Sequence, residues 1–324
     1  MGSCISGCFG LLAAPNWYGD KFKQAGIHTK PAPKGSLFLL GHITIAAPKR
    51  EAAELFFIDG CGCTQRTDAD AAVLRLDAGI TQLFVPMGGT QRWPGMIHFW
   101  VEDIRRTIDQ CYVIRNVMKQ ITGADDIVYE LPSGQGANAA AVLLEPTCHN
   151  KLRFDEAPVD YSKAVRALGS PWGPGRQPPN VLTIIKARHN VKPGVAAKMA
   201  KFYKHFFFAA TDEEAGVCTV HFSPAPESEK PALHQTLVFE ESDTAGTFDG
   251  EICLYVPSHQ LFHISFVRCR NAKLLKEESW EATDAACEFR VPRCVDPDSG
   301  EFLLSLNHLV RHPGHPACPI KLSG

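Results

Sequence analysis

The stretch LFLLGHITIAAPKREAAELFFID, residues 37–59, predicts a strand followed directly by a helix. LFLLGHITIAA alternates and is rich in β-branched residues, which favours a strand. PKREAAELFFID combines helix formers with an apolar face, which favours a helix. Two more strands are predicted at AVLRLDA (72–78) and GITQLFVP (79–86). One unit of the form β-α-β-β(-β) therefore begins at residue 37.

The same order recurs along the chain. A second unit begins at GMIHFWVEDI (95–104), a third at NVLTIIKA (180–187) and a fourth at EICLYVP (251–257). Such an internal repeat predicts an α+β protein with four β-α-β-β-β modules, paired into two open curved-sheet domains. The predicted parts are a tether (1–36), a first paired-module domain (37–160), a Pro- and Gly-rich linker (161–179) and a second paired-module domain (180–324).

Composition excludes several classes of protein. Thirty-three Lys and Arg against thirty-five Asp and Glu give a formal net charge of -2, which does not suit a nucleic-acid partner. The apolar stretch 37–47 falls short of the roughly 20 residues that a membrane-spanning helix needs. Twelve scattered cysteines without a C-x-x-C motif indicate reduced thiols in the cytosol.

Three stretches resemble the vicinal oxygen chelate superfamily, which includes glyoxalase I, the extradiol dioxygenases and bleomycin-resistance proteins. They are GHITIAAPKREAAELFF (41–57), AGITQLFVP followed by WPGMIHFWVEDI (78–104), and DPDSGEFLLSL (296–306). The resemblance extends from about Gly35 to about Leu309. It implies that paired modules build a curved sheet whose concave face holds the active site, usually around a divalent metal.

The resemblance also implies where metal ligands belong in the first domain. The first-strand position of module one is His42, and the last-strand position is Gln82, where Glu is more usual. The corresponding positions of the partner module are Met96, where His is usual, and Arg153, where Glu is usual. Two of the four ligands are missing, so a degenerate metal site is expected.

Strand periodicity gives an independent grouping, because residues two apart share a face. If the concave face is the His42 face, it gathers the five candidate site residues His42, Gln82, His98, Trp100 and Arg153. His42 and His98 are the candidate catalytic residues. His42, Gln82 and His98 are the candidate metal ligands.

The other candidate site residues suit ligand binding. Arg153 offers a planar cation for a carboxylate or phosphate, and Gln82 and Trp100 complete the pocket. The competing interpretation is that Arg153 pairs with a neighbouring acid, Asp155 or Glu156, and that His98 is a core histidine with satisfied hydrogen bonds.

The second half of the chain offers fewer candidate metal ligands. Only Gln235 and Glu251 fall at positions that could ligate a metal, and the absence of a two-His, one-Glu triad in register argues against dioxygenase chemistry. Near the C-terminus, His308, His312, His315 and Cys318 lie in or beside the Pro-rich RHPGHPACP, and we expect a solvated tail rather than a metal site.

Two functional hypotheses follow. In the first, the concave face of the first domain binds a small organic ligand, expected to be anionic, with no cofactor. In the second, the chain is a divergent lyase of the glyoxalase type with one divalent metal ion. Whether the protein is an enzyme stays open, as does a pure scaffold role.

The chain begins MGSCISGCFG, where Gly2 and Ser6 complete an N-myristoylation pattern. One acyl chain binds bilayers only marginally, and Cys4 and Cys8 offer palmitoylation as the second signal. A signal peptide lacks support because no Lys or Arg precedes Lys21, although a chance pattern of small residues stays open. We expect a cytoplasmic protein held peripherally on a membrane by acylation.

Overall fold

The described part of the protein follows the predicted order of elements. The computed structural model describes residues 34–66, 72–123, 129–130, 140–158, 162, 180–224, 233–275 and 279–320. These residues belong to one compact unit that begins at Pro31. Nearly all of the tether and of the linker lies outside the described residues, including Gly2, Cys4 and Cys8.

Four modules are found within the described residues, which confirms the predicted fold class. Module 1 contains β1 (Leu39–Thr44), α1 (Arg50–Glu54) with a π-helical continuation (Leu55–Gly60), β2 (Thr64–Gln65), β3 (Val73–Ala78) and β4 (Thr81–Pro86). Module 2 contains β5 (Gly95–Val101), α2 (Ile104–Thr122), β6 (Tyr129–Glu130), β7 (Ala141–Leu144) and β8 (Lys151–Glu156). Module 3 contains β9 (Val181–Val191), α3 (Ala196–Phe207), β10 (Thr211–Glu214), β11 (Val217–Phe222) and β12 (Gln235–Glu241). Module 4 contains β13 (Glu251–Tyr255), α4 (His259–Asn271), α5 (Trp280–Ala286), β14 (Glu288–Val291), the hairpin of β15 (Cys294–Val295) and β16 (Phe302–Leu304), and β17 (Asn307–Arg311).

Module 1 does not pair with module 2, nor module 3 with module 4. Modules 1 and 4 form the first sheet, in the order β14-β17-β13-β1-β4-β3-β2. Modules 2 and 3 form the second sheet, in the order β10-β11-β12-β9-β5-β8-β7-β6. In each sheet the first strands of the two modules pair antiparallel, β1 with β13 and β5 with β9. The predicted pairing within 37–160 and within 180–324 is therefore wrong.

The physical reason is that strand patterns specify a face but not a partner. A strand such as β1 alternates in the same way whichever edge it meets, so its periodicity is equally satisfied by β5 or by β13. The short segment 87–94 leads from β4 in the first sheet to β5 in the second. Modules 1 and 2 consequently lie in different sheets, as do modules 3 and 4.

The apolar faces of the two sheets contribute to one continuous core. Ile43 of the first sheet and Phe99 of the second are at most 1% exposed and belong to the same hydrophobic cluster. Helix α2 buries Cys111, Ile114 and Met118, whose spacing places them on one face. The opposite face of each sheet carries the polar residues.

A buried amide connects the two sheets. The Gln235 side chain is 0% exposed. Its Oε1 accepts a hydrogen bond from Leu40 N at 3.0 Å, and its Nε2 donates to Ile184 O at 2.7 Å. Gln235, expected above as a possible metal ligand, is thus occupied in a structural role.

The expectation of a solvated C-terminal tail is also wrong. His308 lies in β17 at 0% exposure, with Nε2 2.7 Å from Tyr203 Oη, and Cys318 is 2% exposed. The ten cysteines within the described ranges are free thiols. None of the helices in the part of the chain that the structure describes is both long and apolar enough to cross a membrane.

The close approach of the sheets at Gly79 generates the first prediction. Gly79 has φ +67°, and a Cβ there would lie 1.7 Å from Leu182 O. Gly123 has φ +71° with nothing within 4 Å of its Cβ position. We expect G123A to lose about 1–2 kcal/mol of unfolding free energy from backbone strain alone, and G79A to lose about 3 kcal/mol or more because overpacking is added. Urea denaturation compares the two, and equal losses would contradict this account of the contact.

Candidate functional site

The polar face of the first sheet is centred on His42. The strand register places His42 opposite Gln82 on β4 and opposite Cys253 on β13. Glu251 lies two residues before Cys253 on the same strand and therefore shares its face. Residues 42 and 82 thus meet as the sequence predicts, and module 4 adds a carboxylate from the far end of the chain.

His42 is buried and neutral. It is 1% exposed, its ring stacks on Phe84 at 4.2 Å, and burial lowers its pKa. Its Nε2 lies 3.5 Å from Glu251 Oε1. Burial opposes ionisation of Glu251, but the hydrogen bond with His42 and the charge of Arg290, whose Nε donates to Glu251 Oε2 at 3.2 Å, outweigh it and lower the Glu251 pKa.

The donors on this face suit a divalent metal with three protein ligands. They are His42 Nε2, Gln82 Oε1 and Glu251 Oε1, of which Glu251 alone carries charge. The Gln82 amide is oriented by Asp77, whose Oδ1 accepts from Nε2 at 3.2 Å. The position opposite Cys253 on β17 is Leu309, which has no donor atom. Among the described residues no group of three or more His, Cys, Asp and Glu converges on a metal position.

The polar face of the second sheet is centred on His98. The register places His98 opposite Arg153 on β8 and opposite Lys186 on β9. Trp100 lies opposite Asp155 and is 1% exposed. His98, Trp100 and Arg153 therefore share a face, as expected.

This face is rich in cations. Arg153 forms a bidentate pair with Asp155, with Nε–Oδ2 3.0 Å and Nη2–Oδ1 2.9 Å. Arg188, opposite Met96, pairs through Nη1 with Glu240 Oε2 at 3.1 Å. The competing interpretation of Arg153 as the partner of Asp155 is thus confirmed.

Lys186 and His98 are left without partners. Lys186 makes no ion pair within the described residues, and burial, then the charge of Arg188, lowers its pKa. Both ring nitrogens of His98 are buried, and neither has a hydrogen-bond partner in the described ranges. Burial, followed by the charges of Lys186, Arg153 and Arg188, lowers the His98 pKa well below its usual value. His98 is therefore neutral, and the expectation of a satisfied core histidine is wrong.

The five predicted site residues fall on two separate sheets. His42 and Gln82 lie on the first, and His98, Trp100 and Arg153 on the second. The single pocket expected from the sequence is therefore not formed, because modules 1 and 2 do not share a sheet.

Sequence reasoning missed Lys186 and Arg188. The segment KAR (186–188) places two cations two residues apart in a predicted strand, and this alternation is the signal that identifies them. Glu251 was recognised as a possible ligand, but its proximity to His42 depends on strand pairing that no local pattern encodes.

Sequence comparison gives no relative: no protein-family model and no curated protein matches this chain. Solved structures align with it. A candidate dioxygenase from Bacillus subtilis subsp. subtilis str. 168 aligns with a TM-score of 0.51 and 13% identity over 86% of this chain and 87% of that one. Glyoxalase I from Zea mays aligns with a TM-score of 0.47 and 8% identity over 84% and 92% of the two chains. The cppA protein from Streptococcus pneumoniae TIGR4 aligns at 0.41 and 11% over 85% and 98%.

The vicinal oxygen chelate fold expected from the sequence is therefore confirmed. At 13% identity this likeness shows the fold alone and carries no activity over to this chain.

The unpartnered imidazole of His98 generates a stability prediction. We expect H98L to raise the unfolding free energy at pH 7.5 by about 1–3 kcal/mol, because two buried polar atoms without partners are removed. The folded pKa of His98 is lowered, so the unfolded chain takes up the proton first as pH falls, and wild type loses stability below about pH 6.5. The gain from H98L should therefore be larger at pH 5.

Urea unfolding at both pH values measures this difference. H205L, which changes an exposed histidine, is the matched control and should show neither effect. A lower unfolding free energy for H98L at both pH values would contradict the prediction.

Proposed function

We propose that this chain, which has the vicinal oxygen chelate fold, binds a small organic anion on the polar face of its second sheet. The observation that supports the proposal is the Lys186 ammonium, which is part-buried beside two arginines and forms no ion pair within the described residues. A cation in this position is stabilised by an anionic partner.

The charges on this face leave one positive charge in excess. Arg153 pairs with Asp155 and Arg188 with Glu240, whereas Lys186 forms no ion pair of its own in the part of the chain that the structure describes. A bound carboxylate or phosphate supplies the missing negative charge, and such charge-assisted hydrogen bonds are the strong ones.

Unused hydrogen-bonding atoms lie beside the excess charge. The Nε of Arg188 is buried without a partner, although the Nη1 of the same residue pairs with Glu240. The ring nitrogens of His98, opposite Lys186 in the register, are likewise free of partners among the described residues. An anion that also carries a hydroxyl group uses all three residues, since neutral His98 both donates and accepts.

Substitution of Lys186 tests the proposal. K186M removes the charge and keeps the length of the side chain, and we expect the affinity for phosphoglycolate, which carries both a carboxylate and a phosphate, to fall at least tenfold. The reason is the loss of one charge-assisted contact, worth about 1.5–3 kcal/mol.

Isothermal titration calorimetry at low salt measures the change. K34M removes an exposed lysine outside the site and should bind as wild type does. Wild-type protein that gives no binding heat, or K186M with unchanged affinity, would contradict the proposal.

The second candidate function is a metal-dependent lyase on the first sheet, favoured by Glu251 beside His42. His42, Gln82 and Glu251 would hold the ion, which supplies Lewis-acid polarisation of a carbonyl or enediolate oxygen. Burial keeps His42 neutral, and in the tautomer protonated on Nδ1 its Nε2 would exchange the contact with Glu251 for a bond to the ion, while Asp77 fixes the amide of Gln82. Because His98 lies on the second sheet, His42 is the histidine ligand of this proposed site.

Metal content distinguishes this alternative. If it is correct, dialysed wild-type protein retains a stoichiometric divalent ion, and H42A and E251Q lose most of it because each removes one of three ligands. Elemental analysis by mass spectrometry measures the ratio, with H205A as control. Metal-free wild type, or H42A with unchanged metal, would rule it out.

The membrane part of the proposal rests on the sequence alone. Myristoylation of Gly2 with palmitoylation of Cys4 or Cys8 provides the two signals that lasting attachment needs. We expect G2A to move the protein to the soluble fraction of a cell lysate. G7A makes the same substitution within the same stretch but outside the pattern, and it should stay with membranes. Membrane retention of G2A would contradict acylation at this site.

A further inference from the structure

The last described residues, 312–320, cross the polar face of the first sheet and are called the strap below. They follow β17 and contain neither a helix nor a strand. Tyr255 Oη donates to Ala317 O at 3.3 Å, and His315 Nε2 lies 3.4 Å from Glu288 Oε2. The strap therefore contacts the sheet on two strands, β13 and β14, which flank β17.

Both contacts fall on one row of polar residues. The strand register places Tyr255 opposite Arg311 on β17, and Arg311 opposite Glu288 on β14. Arg311 joins the row, because its Nε and Nη2 donate to Glu288 Oε2 at 2.9 and 2.7 Å. Paired residues share a face, and so do residues two apart on a strand, so the row lies on the same face as Cys253 and Glu251. This is the face of the candidate metal ligands.

The strap extends to the level of His42. Cys253 is opposite His42 in the register and lies two residues before Tyr255 on β13. Burial raises the pKa of Tyr255, and the Cys253 thiol of the sheet and the Cys318 thiol of the strap add to this effect, which places both close to the Tyr255 hydroxyl. His42 and Cys253 are 1% and 0% exposed. Both are thus closed off from solvent on the side where the strap lies.

Two buried side chains anchor the strap. Cys318 is 2% exposed and Ile320 is 4% exposed. Gly314, Pro316 and Ala317, in contrast, are exposed. The strap therefore has an inner side that packs on the protein and an outer side in water.

The backbone hydrogen bonds of the strap are local. Four of its N–H groups donate to atoms of His312 and His315 inside the strap, at 2.9–3.1 Å: those of Gly314, His315, Ala317 and Cys318. Three other positions are proline, which has no N–H to donate. Because β17 ends at Arg311, the strap can leave the sheet without breaking a β-ladder. Its opening thus requires much less free energy than unfolding of the sheet.

We propose that the strap is a removable cover of the first sheet, and that a metal ion or ligand reaches His42 and Glu251 only when the strap opens. In the closed state the strap contacts Tyr255 and Glu288 and keeps solvent from Cys253. In the open state this part of the polar face is exposed to water. The role in metal uptake rests on the second candidate function above, whereas the opening itself does not.

Alkylation by iodoacetamide in the folded, full-length chain tests the opening, with each cysteine followed by mass spectrometry. We expect Cys318 to react at least tenfold faster than Cys269, which is 0% exposed in α4 and does not move with the strap. H315A removes the contact with Glu288 and should raise the Cys318 rate at least fivefold. H205A, an exposed change on α3, should leave the rate unchanged.

A double variant in the strap tests the cover. H315A/I320S removes one polar contact and one buried anchor, and Cys253 should then react at least tenfold faster than in wild type, while Cys269 keeps its rate. If Cys269 also becomes reactive, the double variant has unfolded, and the Cys253 rate in H315A, expected to rise at least threefold, decides instead.

Uptake of Ni²⁺ by dialysed protein, timed by elemental analysis, should be at least fivefold faster in H315A/I320S than in wild type. Absence of Ni²⁺ from both proteins would reject the metal site, and the strap would be judged by Cys253 alone. The proposal is overturned if Cys318 reacts no faster than Cys269 in wild type, or if Cys253 keeps its wild-type rate in a variant whose Cys318 has become reactive.

Discussion

The antiparallel pairing of β1 with β13 is the constraint on which the first sheet depends. It joins Leu39–Thr44 to Glu251–Tyr255 and brings His42 to Glu251 across 209 residues of sequence. Contacts of such separation cost chain entropy before they contribute stability. The first sheet is therefore completed only when the fourth module has formed. The pairing of β5 with β9 performs the same function for modules 2 and 3.

Both polar faces are consequently composite. On the first sheet, module 1 supplies His42 and Gln82 and module 4 supplies Glu251; on the second, module 2 supplies His98 and module 3 supplies Lys186. Neither half of the chain alone contains a whole site. The arrangement brings a carboxylate from module 4 to His42 and an ammonium from module 3 to His98. Of these two groups only the carboxylate has lone pairs with which it could ligate a metal.

The sequence allowed the elements and their faces to be predicted with little error. The strands expected at 72–78 and 79–86 are observed at Val73–Ala78 and Thr81–Pro86. The helix expected at 48–59 is observed at Arg50–Glu54 with its π-helical continuation Leu55–Gly60. These features are local, since alternation and helical spacing are set by neighbouring residues. The predicted meeting of His42 with Gln82 belongs to the same class, because both lie within one module.

The errors about the site concern contacts between modules. The edge of β1 offers the same backbone groups to β5 and to β13, so no residue in 39–44 encodes the choice. Part of the choice of partner strand is encoded at positions where two backbones come into close contact. At Gly79, the Leu182 carbonyl oxygen occupies the position that the side chain of any other residue would fill. The Gln235 amide forms hydrogen bonds with both Leu40 and Ile184. Considered alone, a glycine predicts a turn and a glutamine predicts a ligand. Their role in the contact between the two sheets becomes clear only when the residues that they contact are known.

Strand β9 carries several buried or part-buried polar groups that have no hydrogen-bond partner among the described residues. Lys186 and Arg188 project to the polar face of the second sheet, whereas His189, opposite Gly95 and Phe239, projects to the other side. β9 is a central strand, flanked by β5 and β12, so both of its edges are covered by neighbouring strands. A protein that needed only stability would place apolar residues here, because an unpartnered buried polar group costs about 1–3 kcal/mol. Among the described residues, the Lys186 ammonium and the Arg188 Nε nevertheless have no partner on this strand, and the anion proposed above would complete their hydrogen bonds.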